Sequence, residues 1–327
     1  MIDIHLHFDG SLPLELVARQ AKLQKLPYAD LSGEELRERI VCPLDCGSLN
    51  DFLARFEIPL EILQTRDSLC EAVEAVLGLL KKQGILYAEL RFAPQHHTKK
   101  GLTQEEAVLA ALEGLQRGLS DGKIRAQLIL CAMRGDGNEA ANFETLELTA
   151  KYLHQGVCAF DLAGAEALFP TEHYRDLFAY AGQLGVPFTI HAGEAAGPES
   201  VRAALSFGAK RIGHGTHAIE DLALVQELKE KQVVLECCVI SNVQSKSVES
   251  IEKHPVRSFL DQGLKVTLNT DNMTISQTSM AQEVAFVREH FGLTKEEEKK
   301  LYLNAVDGAF LDEPSKEELR NAIAKAF

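Results

Sequence analysis

Four short segments of this sequence carry side chains that could bind a metal ion and act on a substrate beside it. They are His5-Leu6-His7, His191-Ala192-Gly193-Glu194, His214-Gly215 and Thr270-Asp271, and each follows a short apolar run of β type. Alternate residues of a strand point to the same face, so His5 and His7 can bind one ion together. Three histidines and one carboxylate are donors that suit zinc. A His-x-His pair alone is a weak signal, but four such segments at strand ends predict one metal site.

Hydrolytic chemistry needs further groups beside such an ion. Zinc lowers the pKa of a bound water towards about 7, and a neighbouring group must then orient the water and take its proton. His214 is placed for this role, and Asp271 could contact both the metal and the hydroxide. Glu194 lies three residues past His191, where burial would let its carboxyl donate a proton to the substrate. We expect His217 to support the site, and the other histidines, among them His96, His97 and His254, to be structural or solvent-exposed.

The elements that must position these residues alternate between strand and helix. Helical periodicity occurs between most strands, for example at Glu105–Leu119, Pro198–Phe207 and Asp221–Lys231. Eight alternations in a chain of this size predict a (β/α)8 TIM barrel, in which the carboxyl ends of all strands meet at one mouth. A doubly wound sheet is the rival, but its Gly-rich phosphate turn does not follow the first strand. The predicted strands are Ile2–His7, Leu86–Phe92, Arg125–Cys131, Val157–Leu162, Pro187–His191, Arg211–Gly213, Val233–Cys237 and Lys265–Asn269.

One connection of this predicted barrel is oversized. The stretch from Phe8 to Ile85 contains helix-like segments at Pro13–Gln24, Leu49–Leu63 and Ser68–Lys82, and only the last is needed as a crossover helix. We therefore expect a single domain over residues 1–327, with a helical insertion at about 13–65 that roofs the active site. An apolar stripe on this insertion could pack on the barrel rim or face the substrate. Its residues are Leu49, Phe52, Leu53 and Phe56.

Composition narrows the class of ligand. The 327 residues carry a formal net charge of −14, which argues against binding to nucleic acid or to an anionic membrane and favours a small molecule. No apolar stretch is long enough to span a membrane. The seven cysteines form no CxxC pair and no secretory segment precedes Ile2, so we expect reduced thiols and a cytoplasmic location. The sequence leaves open whether the protein is a monomer or a homo-oligomer.

The motifs together resemble those of the adenosine deaminase family of metal-dependent barrel hydrolases, over nearly the whole chain. The opening motif is His5-Leu6-His7-Phe8-Asp9-Gly10-Ser11-Leu12, and Asn304-Ala305-Val306 is similar to a C-terminal helix of the family. Many related barrel hydrolases bridge two metals with a carboxylated lysine on the fourth strand. Val157–Gly164 contains no lysine, which favours one zinc ion per chain. The remaining matching motifs are Asp161-Leu162-Ala163-Gly164, His191-Ala192-Gly193-Glu194, Gly213-His214-Gly215 and Asn269-Thr270-Asp271.

This resemblance implies zinc-dependent hydrolysis of adenosine, and of 2′-deoxyadenosine, to inosine and ammonia, in purine salvage and catabolism. Glu194 would protonate N1 of the purine, His214 would orient the hydroxide, and Asp271 would assist proton transfer to the leaving ammonia. The Gly164 amide would meet N3, and Asp9 would accept a hydrogen bond from the ribose 5′-hydroxyl and repel a 5′-phosphate. The implied metal ligands are His5, His7, His191 and Asp271. The implied substrate-binding residues are His7, Asp9, Gly164, Asn272, Leu49, Phe52, Leu53 and Phe56.

Two positions depart from the best-known animal members of the family. Asn272 replaces a second Asp expected to meet N7; an Asn amide donates to that acceptor directly, whereas Asp must first be protonated. Ala93 replaces a frequent serine. The alternatives are a deaminase of another adenine compound (adenine, a modified adenosine or aminodeoxyfutalosine) and, in a different class, a non-catalytic nucleoside-binding relative.

Overall fold

The strands of the protein are all parallel and follow one another around a barrel. The computed structural model describes the backbone of residues 1–327 and every side chain except that of Asn50. The strands pair in chain order as two sheets, β1-β2-β3-β4 and β5-β6-β7-β8. They span Ile2–His7 (β1), Tyr87–Phe92 (β2), Arg125–Met133 (β3), Val157–Ala163 (β4), Ile190–Ala192 (β5), Arg211–His214 (β6), Val234–Cys237 (β7) and Lys265–Leu268 (β8).

Single bridges join the two sheets on both sides. Phe160 in β4 pairs with Phe188, just before β5, and Leu6 in β1 pairs with Asp271, just after β8. The Asp271 carbonyl accepts from the amide of His7 at 2.7 Å, and the Asp271 amide donates to the carbonyl of His5 at 2.9 Å. These bonds close the barrel and hold two of the predicted metal-binding segments side by side.

Helices fill the connections and cover the outside of the barrel. Four of them lie between β1 and the helix that leads into β2, where the sequence predicts an insertion. No helix within the described residues is both long and apolar enough to cross a membrane. The helices, numbered α1 to α15 in chain order, are Leu14–Leu23, Gly33–Ile40, Leu49–Leu53, Glu57–Ile62, Arg66–Lys82, Gln104–Leu119, Glu139–Tyr152, Arg175–Leu184, Pro198–Phe207, Leu222–Glu230, Val239–Gln244, Val256–Asp261, Met280–Phe291, Lys295–Gly308 and Glu313–Ala326.

The (β/α)8 barrel class is confirmed, and the differences from the predicted elements are local. The fifth strand begins later than predicted, because its first residues bond only to Phe160 of β4. The predicted helix Leu49–Leu63 is broken into α3, a 3₁₀ turn and α4. Helix α2 was missed, although Ser32 and Glu35 form a capping box at its start.

The inside of the barrel below the site contains buried ion pairs as well as apolar side chains. Arg91 on β2 and Arg211 on β6 are both buried and both pair with Glu236 on β7. Arg91 also pairs with Asp161 on β4 at 2.8 Å, and Arg211 pairs with Glu89 on β2. Removing one partner of such a network leaves an uncompensated buried charge. The intact network therefore holds together the strands that carry the site.

Candidate active site

Imidazole nitrogens and one carboxylate converge where the strands end. The Nε2 atoms of His7 and His191 lie 3.2 Å apart. Asp271 Oδ1 lies 3.4 Å from Nε2 of His5 and 3.6 Å from Nε2 of His7. His214 belongs to the same cluster, because its ligand atom and those of His5 and His191 lie within 4.8 Å of one another. The structure therefore brings all four predicted ligands together, with His214 beside them.

Carboxylates orient the far side of two of these rings. His5 Nδ1 lies 2.7 Å from Glu236, and His191 Nδ1 lies 3.0 Å from Asp161. An acceptor on Nδ1 leaves the lone pair of Nε2 free for a metal ion, as is usual for histidine ligands. The buried Nε2 atom of His5 has no hydrogen-bond partner among the described residues. An orphaned nitrogen that faces other donors fits a bound cation.

Two of the site residues adopt left-handed backbone conformations. His214 has a φ of 61° and Asp271 a φ of 56°, and residues other than glycine seldom occupy this region. His214 is the last residue of β6 and Asp271 lies three residues past the end of β8, so the chain turns sharply at the mouth and presents both side chains there. Backbone strain of this kind concentrates at functional sites. Asp271 Oδ2 also accepts from the Ser241 hydroxyl at 2.5 Å, which fixes the carboxylate.

Glu194 places a further carboxyl group near the histidines, at the wall of the cavity. Its residue is only 7% exposed, and burial together with the negative charge of Asp271 raises the pKa of Glu194 to about 8. The carboxyl is therefore protonated at neutral pH, as an acid catalyst requires. Its Oε2 atom lies 3.7 Å from Nε2 of His214. Burial and the neighbouring imidazole of His5 lower the pKa of His214 well below its usual value, so that ring is neutral.

A residue that the sequence analysis missed holds the loop that carries Glu194. The buried carboxylate of Glu166 accepts four successive backbone amides, at 2.7 Å from Gly193, 2.9 Å from Glu194, 2.7 Å from Ala195 and 3.0 Å from Ala196. It also accepts from the hydroxyl of Ser200 on α9. The sequence feature that could have pointed to Glu166 is its position two residues past Gly164, in a loop that follows a strand.

An apolar cavity of about 310 Å³ opens over these groups. All four residues of the stripe on the insertion line this cavity, and Phe52 is also part of the hydrophobic core. Gly164 lines the wall with a φ of 108°, a conformation that favours glycine. The predicted residues that line the cavity are His7, Asp9, Leu49, Phe52, Leu53, Phe56, Gly164, His191, Glu194, His214, Asp271 and Asn272. Lining residues that the sequence did not single out as contacts include Leu60, His96, Cys131, Met133, Arg134 and Ala165.

Asp9 and Asn272 form one polar part of the cavity wall. Burial raises the pKa of Asp9 to about 7, so an added hydrogen-bond donor would stabilise its charged form. Asn272 is buried, and its Oδ1 atom has no partner in the described structure. A Cβ atom at Gly10 would lie 1.9 Å from that oxygen, so only glycine fits beside Asn272.

Four of the other histidines make contacts that bear on the site or its support. His96, which was expected to be structural or solvent-exposed, lines the cavity. His97 is buried with Nδ1 2.8 Å from the Leu63 carbonyl, in agreement with a structural role. His217 contacts Glu220 with its ring and donates its backbone amide to the Gly193 carbonyl at 3.0 Å, so it braces the turn through its backbone. His254 is buried and bonds to Asn242, a residue that the sequence analysis did not single out.

Comparisons with known proteins agree with this architecture. The family profile described as Adenosine deaminase matches residues 1–326. An adenosine deaminase of Haemophilus ducreyi is 48% identical over 331 residues, which cover 100% of this chain and 96% of that protein. The crystal structure of an adenine deaminase from Arthrobacter aurescens superposes with a TM-score of 0.90 at 26% identity, covering 99% of this chain and 98% of that one. An amidohydrolase from Burkholderia ambifaria with bound zinc has the same fold, with a TM-score of 0.89 at 20% identity over 99% of this chain and 89% of that one. The chain is thus a barrel hydrolase that belongs to the adenosine deaminase family.

Proposed function

We propose that this protein hydrolyses adenosine, and 2′-deoxyadenosine, to inosine and ammonia, as a step of purine salvage and catabolism. The observation that carries the proposal is a buried Glu194 beside converging imidazoles and Asp271, all at the floor of an apolar cavity. An acid next to a metal site in a pocket of this kind suits addition of water to an aromatic ring. One domain over residues 1–327 would supply every group.

We assign the metal to His5, His7, His191 and Asp271, and zinc is the ion that this donor set suits best. The unpartnered Nε2 of His5 and the carboxylates behind His5 and His191 support the assignment. When bound, zinc would supply a water acidic enough to act as a nucleophile at neutral pH. The strand Val157–Ala163 offers no lysine for bridging a second ion, which supports one ion per chain.

The side chains then divide the proton transfers. Glu194 donates its proton to N1 of the purine as water adds to C6, so the electron pair of the broken ring π bond is held on N1. His214 orients the attacking oxygen, and Asp271 takes its proton and passes it to the departing amine. The lone pair on N1 then re-forms the ring π bond as the carbon–nitrogen bond at C6 breaks, and N1 returns its proton to Glu194. Ammonia leaves, and the hydroxyl tautomer of inosine remains.

The cavity wall supports recognition of a nucleoside. The purine would lie against the apolar stripe on the insertion, with N3 at the backbone amide of Gly164 and N7 at the side-chain amide of Asn272. The ribose 5′-hydroxyl would donate to Asp9, whose carboxylate would repel a 5′-phosphate. The seven cysteines are all buried free thiols, which supports a reducing, cytoplasmic location.

A panel of adenine compounds tests the proposal. Purified, metal-loaded protein is mixed with equal concentrations of adenosine, 2′-deoxyadenosine, adenine, AMP, N6-methyladenosine and aminodeoxyfutalosine, and deamination is followed by its ultraviolet absorbance change. We expect the highest kcat/KM for adenosine and 2′-deoxyadenosine, and loss of turnover after chelation. Much faster turnover of another adenine compound would replace the substrate assignment. Metal binding without turnover of any of these would instead support a non-catalytic relative.

A further inference from the structure

A chain of three buried side chains leads from a backbone amide to the ring of His214. His254 lies two residues before helix α12, and its Nδ1 atom is 3.1 Å from the amide nitrogen of Val256. Its Nε2 atom is 3.2 Å from Oδ1 of Asn242 on helix α11. The Nδ2 atom of Asn242 is in turn 2.9 Å from Nδ1 of His214. All three side chains are buried, so water does not compete for these bonds.

The direction of every bond in this chain follows from its first donor. A backbone amide can only donate, so Nδ1 of His254 must be an acceptor without a proton. Burial lowers the pKa of His254 to about 3, and its neutral ring therefore carries the proton on Nε2. The proton on Nε2 of His254 needs an acceptor, so Oδ1 of Asn242 must face it. The Nδ2 amino group of Asn242 then faces Nδ1 of His214 and donates to it. Nδ1 of His214 is then an acceptor, and the single ring proton of His214 lies on Nε2.

Two other imidazoles at the site have the opposite arrangement. Glu236 and Asp161 are carboxylates and can only accept, so the rings of His5 and His191 carry their protons on Nδ1. Their Nε2 lone pairs are free for a metal ion. Position alone does not separate His214 from them, because the ligand atoms of all three rings lie within 4.8 Å of one another. The bonds behind each ring do separate them.

We propose that Asn242 and His254 are positioning residues that hold His214 with its proton on Nε2. His214 then donates a hydrogen bond into the cavity and serves neither as a metal ligand nor as the acceptor of the water proton. Its partners would be the attacking oxygen and the Glu194 carboxyl, whose Oε2 lies 3.7 Å away. His214 and Asp271 are the two groups placed to take the proton of the attacking water, so only Asp271 remains for that role. The catalytic meaning rests on the proposed function, but the position of the ring proton does not.

The ring proton can be located without any assay of activity. Metal-loaded protein labelled with 15N-histidine is examined by long-range 1H–15N correlation, and the His214 signals are assigned by their loss in His214→Gln. We expect a protonated Nε2 and an unprotonated Nδ1 in the wild type. In Asn242→Asp a carboxylate acceptor faces Nδ1, so the proton should move to Nδ1. A protonated Nδ1 in the wild type, or an unchanged proton position in Asn242→Asp, would overturn the proposal.

Kinetics provide the second readout. We expect Asn242→Asp to lower kcat for adenosine about 10- to 100-fold, the usual cost of losing such a supporting group, with KM changed much less. If that variant does not fold, the pair His254→Gln and His254→Leu replaces it, because a Gln amide can still donate to Asn242 and Leu cannot. Gln should restore most of the kcat that Leu loses, while the exposed control His173→Leu stays at the wild-type value. Equal kcat in the Gln and Leu variants would contradict the proposal. A wild type with the expected ring proton but no turnover of adenosine would reject the proposed function alone.

Discussion

Glu166→Gln is the sharpest test of how the loop carrying Glu194 is held, because it changes charge and one hydrogen-bonding atom but hardly any volume. In the wild type, Oε2 accepts three backbone amides, and Oε1 accepts that of Gly193 and the Ser200 hydroxyl. A Gln side chain keeps one oxygen. If that oxygen takes the place of Oε2, the amide of Gly193 faces another donor and loses its acceptor.

The expected loss of stability follows from these bonds. A buried donor without a partner costs about 1–3 kcal/mol, and a bond to a neutral acceptor is about 1 kcal/mol weaker than one to a carboxylate. One lost and three weakened bonds, which are not fully additive, lower the free energy of unfolding by about 3–5 kcal/mol. That is a large share of the roughly 5–15 kcal/mol that stabilises an ordinary domain. Because the loop positions Glu194, we also expect kcat to fall by up to about 100-fold.

Urea unfolding followed by circular dichroism measures the first effect, and steady-state kinetics at a concentration where the variant is folded measure the second. Glu172→Gln is the matched control, because it is the same substitution at an exposed position a few residues along the chain. A Glu166→Gln midpoint equal to that of Glu172→Gln, together with an unchanged kcat, would show that the carboxylate does not hold this loop.

Three further predictions concern the acid, the ribose contact and a buried carboxyl. Glu194→Gln should keep the metal, measured by elemental analysis, but lower kcat about 10²- to 10⁴-fold because a Gln amide cannot donate a proton; near-normal turnover would reject its role. Asp9→Ala should lower kcat/KM about 10- to 100-fold for adenosine but little for 5′-deoxyadenosine, which lacks the hydroxyl that Asp9 would accept; an equal loss for both substrates would place that hydroxyl elsewhere. Burial raises the pKa of Glu283 to about 8, so the folded state binds a proton that the unfolded state releases near pH 4.5, and this group makes stability fall as pH rises between those values. Glu283→Gln should flatten that fall in unfolding midpoints taken from pH 5 to 8, and a slope identical to the wild type would show that Glu283 does not titrate as a buried acid.

The barrel could be predicted from sequence because parallel strands buried on both faces read as short apolar runs, with polar residues at their ends. The four ligand candidates follow from that arrangement, since the ends of the strands meet at one mouth. The break of Leu49–Leu63 into two helices could not be foreseen, because the apolar stripe continues through the break. From sequence alone the stripe also fits either the hydrophobic core or a cavity wall, and the structure shows that its residues line the cavity.

The residues that act behind the site were the least predictable. Glu166 and Asn242 make their contacts across the fold, to a loop after β5 and to rings on other elements, so spacing along the chain carries no sign of them. His254 lacked the register of a strand end and was therefore set aside. Its role depends on a three-membered chain of bonds that exists only once β6, α11 and α12 are packed together. Sequence patterns thus identify the groups that face the cavity better than those that orient them.

A crystal structure of the metal-loaded protein with a non-hydrolysable purine nucleoside, with anomalous scattering recorded at the zinc edge, tests the central claim most directly. We predict one anomalous peak bonded to His5, His7, His191 and Asp271, with Glu194 at N1 of the purine and Asp9 at the ribose 5′-hydroxyl. A peak bonded to His214 in place of His7, or a purine whose N1 points away from Glu194, would contradict it.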